Sequence, residues 1–100
     1  MDMTKWADFL ISKVNYDEKH KIQNAIRHEE TSRGITSGSP VDRMTIVADL
    51  RHGRTYSTIY SGNESWRRGQ NLRVFSLRGK HYVRIDRNNV NIDFLGDIPE

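Results

Sequence analysis

Hydrophobic positions along this chain fall into three regimes. In Phe9-Leu10-Ile11-Ser12-Lys13-Val14-Asn15-Tyr16 the later part alternates, which predicts a strand with Leu10, Val14 and Tyr16 on one face. In residues 21–30, Ile22 and Ile26 share a face with Asn24 and His28, as in a returning strand. The link Asp17-Glu18-Lys19-His20 has no glycine, so a four-residue turn fits better than a two-residue one. Residues 8–30 therefore predict a β-hairpin. A helix over 17–30 competes, because Ile22, Ala25, Ile26 and Glu29 also fit a helical face.

The second regime is helical. Residues 31–39 read as a loop by composition. Ser39 then suits an N-cap, Pro40 the first helical position and Asp42 the third. Met44, Val47 and Ala48, with Ile46 and Leu50, form a broad apolar face. Arg51 and His52 suit the negative end of the helix dipole, and Gly53 is the stop. A helix over 40–51 follows.

From Thr55 the period returns to two. Tyr56, Thr58 and Tyr60 alternate against Thr55, Ser57, Ile59 and Ser61. Gly62-Asn63 breaks that strand, and Arg78-Gly79 marks a hairpin between two more. Strands are predicted over 55–61, 71–77 and 80–86, with a turn and short tail over 87–100. One domain is expected from 100 residues. Its class is α+β: a small, strongly curved antiparallel sheet or partly closed barrel of about five strands with one helix.

Composition narrows the function classes. Hydrophobic residues make up 35% of the chain and mean hydropathy is −0.78, a polar balance that only the alternating pattern rescues from a disordered reading. Without cysteine, disulfides and thiolate metal sites are excluded. No apolar run approaches the roughly 18 residues of a membrane span. The opening Met1-Asp2-Met3-Thr4-Lys5-Trp6-Ala7-Asp8 places acids where a signal peptide carries positive charge, so a cytoplasmic protein without membrane partners is expected.

The net charge of +3 conceals a segregation. Residues 1–39 are neutral, residues 40–90 carry ten bases against four acids, and residues 91–100 hold only Asp93, Asp97 and Glu100. Nine of those ten bases are arginine, whose planar fork grips phosphate or carboxylate with two bonds and stacks on rings. An anion-facing surface in the C-terminal half is the sharper explanation, and an ordinary charged surface the plain one.

Catalytic signals are poor. No nucleophile elbow, phosphate-binding Walker loop, His-Glu-x-x-His or dinucleotide fingerprint is present, and His20, His28, His52 and His81 are scattered. Asp86, Asp93 and Asp97 with His81 are a weak set of ligands for a hydrated divalent ion. The Gly34…Gly38-Ser39-Pro40 loop entering a helix resembles an anion cradle in outline, without the Gly-Lys-Ser/Thr ending. No catalytic residue, cofactor or metal is assigned.

The informative constellation is aromatic and basic. Arg54, Tyr56, Tyr60, Trp66, Arg67, Arg68, Tyr82, Arg84, Asp86, Arg87, Asn88 and Asp93 are the candidate ligand-binding residues. Alternation in residues 80–86 places Tyr82, Arg84 and Asp86 on one face and His81, Val83 and Ile85 on the other. Rings that stack a base and guanidinium groups that hold phosphate are what nucleotide and single-strand binders use. The plain alternative is that the rings fill a small core and Arg84 pairs with Asp86 on its rim.

Tyr82-Val83-Arg84-Ile85-Asp86-Arg87-Asn88-Asn89, followed by Asp93-Phe94-Leu95-Gly96-Asp97-Ile98-Pro99, resembles the ending of a widespread family of small bacterial and phage proteins of unknown function. Its members end in a Tyr-x-Arg-Thr-Asp-x-Asn-like strand and an Asp-x-Leu-Gly-x-(Leu/Ile)-Pro tail. Residues 7–17 are similar to the family's opening strand. Ile85 departs from the usual Thr, and residues 66–87 are richer in arginine. The resemblance implies the α+β layout and points to Arg84, Asp86, Asn88, Asp93, Leu95, Gly96 and Pro99 as the tail that defines the fold or the site.

The leading expectation is a non-enzymatic binding module for a phosphate-bearing, nucleotide-type small molecule. By analogy of type, small phage proteins that sequester nucleotide immune signals have this general size and are often oligomeric, so a homo-oligomer (dimer or higher) is expected. Six net charges over the middle segment are modest for a duplex-binding surface. A nucleic-acid-binding small barrel and a protein-interaction or inhibitor subunit are the alternatives.

Overall fold

A computed structural model describes residues 5–62 and 65–99. The elements run β1 (Phe9–Tyr16), β2 (Ile22–Thr31), β3 (Gly34–Ile35), β4 (Ser39–Asp42), α1 (Arg43–Arg51), β5 (Tyr56–Ser61), β6 (Trp66–Asn71), β7 (Arg73–Leu77) and β8 (Lys80–Arg84). The predicted Asn63 break, Glu64 of the charged middle, Met1–Thr4 and the Glu100 end of the acidic tail lie outside the described residues.

β1 and β2 form the predicted antiparallel hairpin, and the competing helix over 17–30 does not form. Six strands make one open sheet in the order β3-β2-β1-β5-β6, with β4 pairing β2 beside β3; β7 and β8 form a separate hairpin. The sheet is mostly antiparallel, but β1 and β5 run parallel, Phe9 opposite Tyr56 and Ile11 opposite Thr58. The curved-sheet expectation thus holds, while the barrel alternative does not, because the sheet does not close. The β7–β8 hairpin closes on Arg78 (φ 55°) and Gly79 (φ 81°), the pair of positive dihedrals a tight two-residue turn requires.

Two register shifts decide which side chains reach the core. Ile11 pairs Arg27 while Lys13 pairs Ile26, leaving Ser12 as an extra residue on β1. Such a bulge inverts the alternation, so Ile11 and Val14 both enter the main core and Leu10 goes to the opposite face. A second shift, where Asn15 pairs Asn24 and Tyr16 pairs Ile22, brings Ile22 and Ala25 onto the core side together. The predicted shared faces of Leu10 with Val14, and of Ile22 with Ile26, are corrected accordingly.

The helix starts later than predicted. Ser39–Asp42 is a strand whose Val41 is buried opposite Ala25, and Pro40 is tolerated because β4 is an edge strand. Asp42, not Ser39, caps α1: its Oδ1 accepts the Thr45 amide at 2.9 Å. A glycine-rich loop entering a helix N-terminus is therefore absent at Gly38-Ser39-Pro40, and the anion-cradle reading of that segment falls. Gly53, at φ 90°, follows the helix end.

The main core lies between one face of the sheet and α1, the β7–β8 hairpin and the tail, around Ile11, Val14, Ile46, Tyr56, Val83 and Leu95. A smaller cluster on the other face joins Ala7, Leu10 and Ile59, with Trp6, Ile35 and Trp66 against it. Central β5 is covered on both faces, burying Tyr56, Ser57, Thr58 and Ile59. β6, which falls between the strands predicted over 55–61 and 71–77, is itself a strand beside β5.

Candidate functional site

The twelve residues singled out from sequence do not form one surface. Tyr56 is fully buried; its hydroxyl donates to Asp49 Oδ2 (2.7 Å) and accepts from Arg27 Nη1 (2.9 Å). Arg27 also pairs with Asp49 at 3.1 Å and lies over the Phe9 ring at 4.2 Å. Burial first, then the bond to Asp49, pushes the Tyr56 phenol well above its ordinary range. Arg54 shares a cleft of about 210 Å³ with Tyr56. Tyr60 packs against the main core. Trp66 sits on the far face of the sheet, its ring 5.2 Å from that of His28. Arg67 and Arg68 are exposed on β6, and Arg87 is exposed beyond β8.

Arg84, Asp86 and Asn88 come together as an internal clasp. Arg84 donates to both Asp86 oxygens (2.6 and 2.8 Å) and to the Ile92 carbonyl (3.3 Å), with the Phe94 ring 5.1 Å away. Asn88 donates to Asp86 through its backbone and side chain, and Arg73 donates to the carbonyls of Asp86 and Asn88. Asp93 is 0% exposed and accepts from the Ile22 amide (2.7 Å), the Val83 amide (2.9 Å) and Arg43 (2.7 and 3.2 Å). The Asp93 side chain ties the tail to β2, α1 and β8. Asp86 and Asp93, considered above as metal ligands, are each committed to a guanidinium. Among the described residues no three His, Cys, Asp or Glu side chains converge.

A different place gathers free positive charge. α1 presents Met44, Val47, Ala48 and Arg51 to a groove of about 500 Å³ closed by Lys21, Arg43, Lys80 and His81. Their spacing of three, four and seven residues is one helical stripe. The predicted single apolar face of α1 is in fact divided. Ile46 is buried and Leu50 packs on the core, whereas Met44 stands 80% exposed in the groove with Ala48 exposed beside it.

Among the described residues no carboxylate lines the groove. Arg43 is committed to Asp93, which raises its pKa further, and its Nη2 also donates to the His81 carbonyl. Among the described residues, Lys21, Arg51 and Lys80 have no acid partner within 4.0 Å. Lys21 Nζ lies 5.4 Å from the Tyr82 ring centre, and Tyr82 with Lys80 also lines an adjoining polar cavity of about 590 Å³. No family model, curated protein or solved structure matches the chain. What the groove can do follows from its own chemistry.

Lys21, Arg43, Arg51 and Lys80 were not among the sequence candidates. The aromatic residues point to the strands, whereas Met44, Val47 and Ala48 enter the sequence reading as part of one broad apolar face and Arg51 as a base at the helix end. The stripe of these four residues is the available signal. Lys21 and Lys80, 59 residues apart in the chain, carry none.

Proposed function

We propose that this protein is a non-enzymatic binding module for a phosphate-bearing, nucleotide-type small molecule, and that the groove between α1 and β8 is where the ligand sits. One observation carries the proposal: Lys21, Arg51 and Lys80, without an acid partner within 4.0 Å among the described residues, surround an apolar floor. Lys21, Arg51 and Lys80 would take the phosphate, and Met44, Val47 and Ala48 would receive the flat apolar part. Charge-assisted hydrogen bonds contribute about 1.5–3 kcal/mol each, so two or three suffice for a small anion. The volume also suits one small ligand, for which sites of about 300–1,000 Å³ are usual.

Among the described residues no helix is long and apolar enough to cross a membrane. A cytoplasmic homo-oligomer that sequesters a nucleotide signal is the form this proposal takes in a cell, since binding without turnover removes ligand from circulation.

The test is thermal shift and calorimetry of the full chain with mono-, di- and cyclic nucleotides, their nucleosides and inorganic phosphate. Nucleotides should raise the melting temperature and nucleosides should not. Reversing Lys80 or Arg51 to Glu should weaken binding about tenfold or more, as loss of one charge-assisted bond implies. Absence of any nucleotide effect overturns the proposal. A gel shift on nucleic acid that collapses steeply with salt would replace it by the nucleic-acid reading.

A further inference from the structure

On the sheet face away from the groove, Ser12 and His28 form a polar pair that the proposed function does not use. Arg27 reaches Asp49 of α1, so the next residue, His28, points to the other side. His28 is 6% exposed, and both ring nitrogens are engaged. Nδ1 lies 2.8 Å from the Thr36 carbonyl oxygen, and Nε2 lies 2.8 Å from Ser12 Oγ.

The partners settle the proton positions. A carbonyl oxygen only accepts, so Nδ1 carries the hydrogen; in the neutral ring Nε2 is then the acceptor and the Ser12 hydroxyl donates to it. A serine hydroxyl bonded to an imidazole whose far nitrogen is pinned is the arrangement that activates a nucleophile, with a backbone carbonyl here in the orienting role.

The surroundings hold this pair in place. Ser12 is the bulge residue of β1, outside the regular ladder, and it is partly exposed. Gly38 runs so close to the imidazole that a Cβ there would stand 2.8 Å from its Cε1 and 3.0 Å from its Nε2. The Trp66 ring lies 5.2 Å from the His28 ring.

We infer that Ser12 is a nucleophile activated by His28, able to accept an acyl or phosphonyl group from an electrophilic ester or fluoride. Ser12 Oγ forms the new bond to the carbonyl carbon or phosphorus, and its proton passes to His28 Nε2. The leaving group departs with the bonding pair, as fluoride in the case of a fluorophosphonate. None of the groove residues takes part, so this inference and the proposed function stand or fall separately.

The experiment treats the folded full chain with a fluorophosphonate and maps the adduct by intact and peptide mass spectrometry. A single adduct on Ser12 is expected, absent in Ser12→Ala and at least about 100-fold slower in His28→Ala, the usual scale of general-base assistance. The adduct on the unsubstituted protein needs no variant that might misfold. No adduct on Ser12, or an adduct only after denaturation, would overturn the inference.

Discussion

Arg84 grips Asp86 through two parallel bonds, and this grip, with the Asn88 amide, holds the Asp86 carboxyl down at about 2. Three other carboxyls are also held below their ordinary range. Asp8 accepts from the Thr55 amide, Asp17 from the Lys21 amide and Asp42 from Thr45. Each depressed pKa contributes stability that is complete above the unfolded value of about 4 and is lost as pH falls through the folded one. The melting temperature should therefore drop between about pH 4 and about pH 2. Asp86→Asn should melt below the unsubstituted protein at neutral pH, and the gap should close as pH approaches about 2. A gap that is constant with pH would mean that Asp86 acts only through packing. At this scale the sequence was informative: Arg84, Asp86 and Asn88, expected to bind a ligand, meet in one clasp, and the plain alternative of Arg84 pairing with Asp86 describes their geometry.

Helix α1 shows where local pattern stops being sufficient. Its existence and its stop at Gly53 are legible from periodicity and capping chemistry. Its start is not, because Ser39 and Asp42 are both good caps and only strand pairing chooses between them. β2 offers an edge, Val41 gains burial opposite Ala25, and the cap falls to Asp42. Asp42→Ala should lower the melting temperature without changing the fold, whereas Ser39→Ala, exposed and outside the helix, should leave it nearly unchanged. Thermal denaturation of the two variants side by side checks this. On β1 and β2 the period-two pattern failed for a related reason. The bulge at Ser12 and the shift near Gln23 invert the faces, and alternation by itself carries no record of a bulge.

Across the whole molecule, Asp93 is the tie. Its carboxylate receives donors from β2, α1 and β8, while its own amide donates to the His20 carbonyl at 3.0 Å. The tail continues with Leu95 donating to the Tyr16 hydroxyl and the Pro99 carbonyl accepting from Val14. Removing this carboxylate would strand a half-buried guanidinium and two buried amides. Asp93→Ala should therefore cost about 3–5 kcal/mol, the scale of breaking a buried ion pair from one side. Urea denaturation measures it, and a cost below about 1 kcal/mol would show the tie to be dispensable.

The sequence by itself determined the α+β class, the hairpin at the start, the helix and the Arg-rich character of residues 40–90, because these depend on periodicity and residue type within short windows. Tertiary structure alone decided which arginines stay free. Arg27, Arg43 and Arg84 find carboxylates 22, 50 and two residues away, and pairing consumes them. Lys21, Arg51 and Lys80 meet at one groove only because the β1–β2 turn, the end of α1 and the start of β8 are brought together by chain folding. A charge count cannot distinguish a cation that is neutralised inside the fold from one left facing solvent; the position of its partner does.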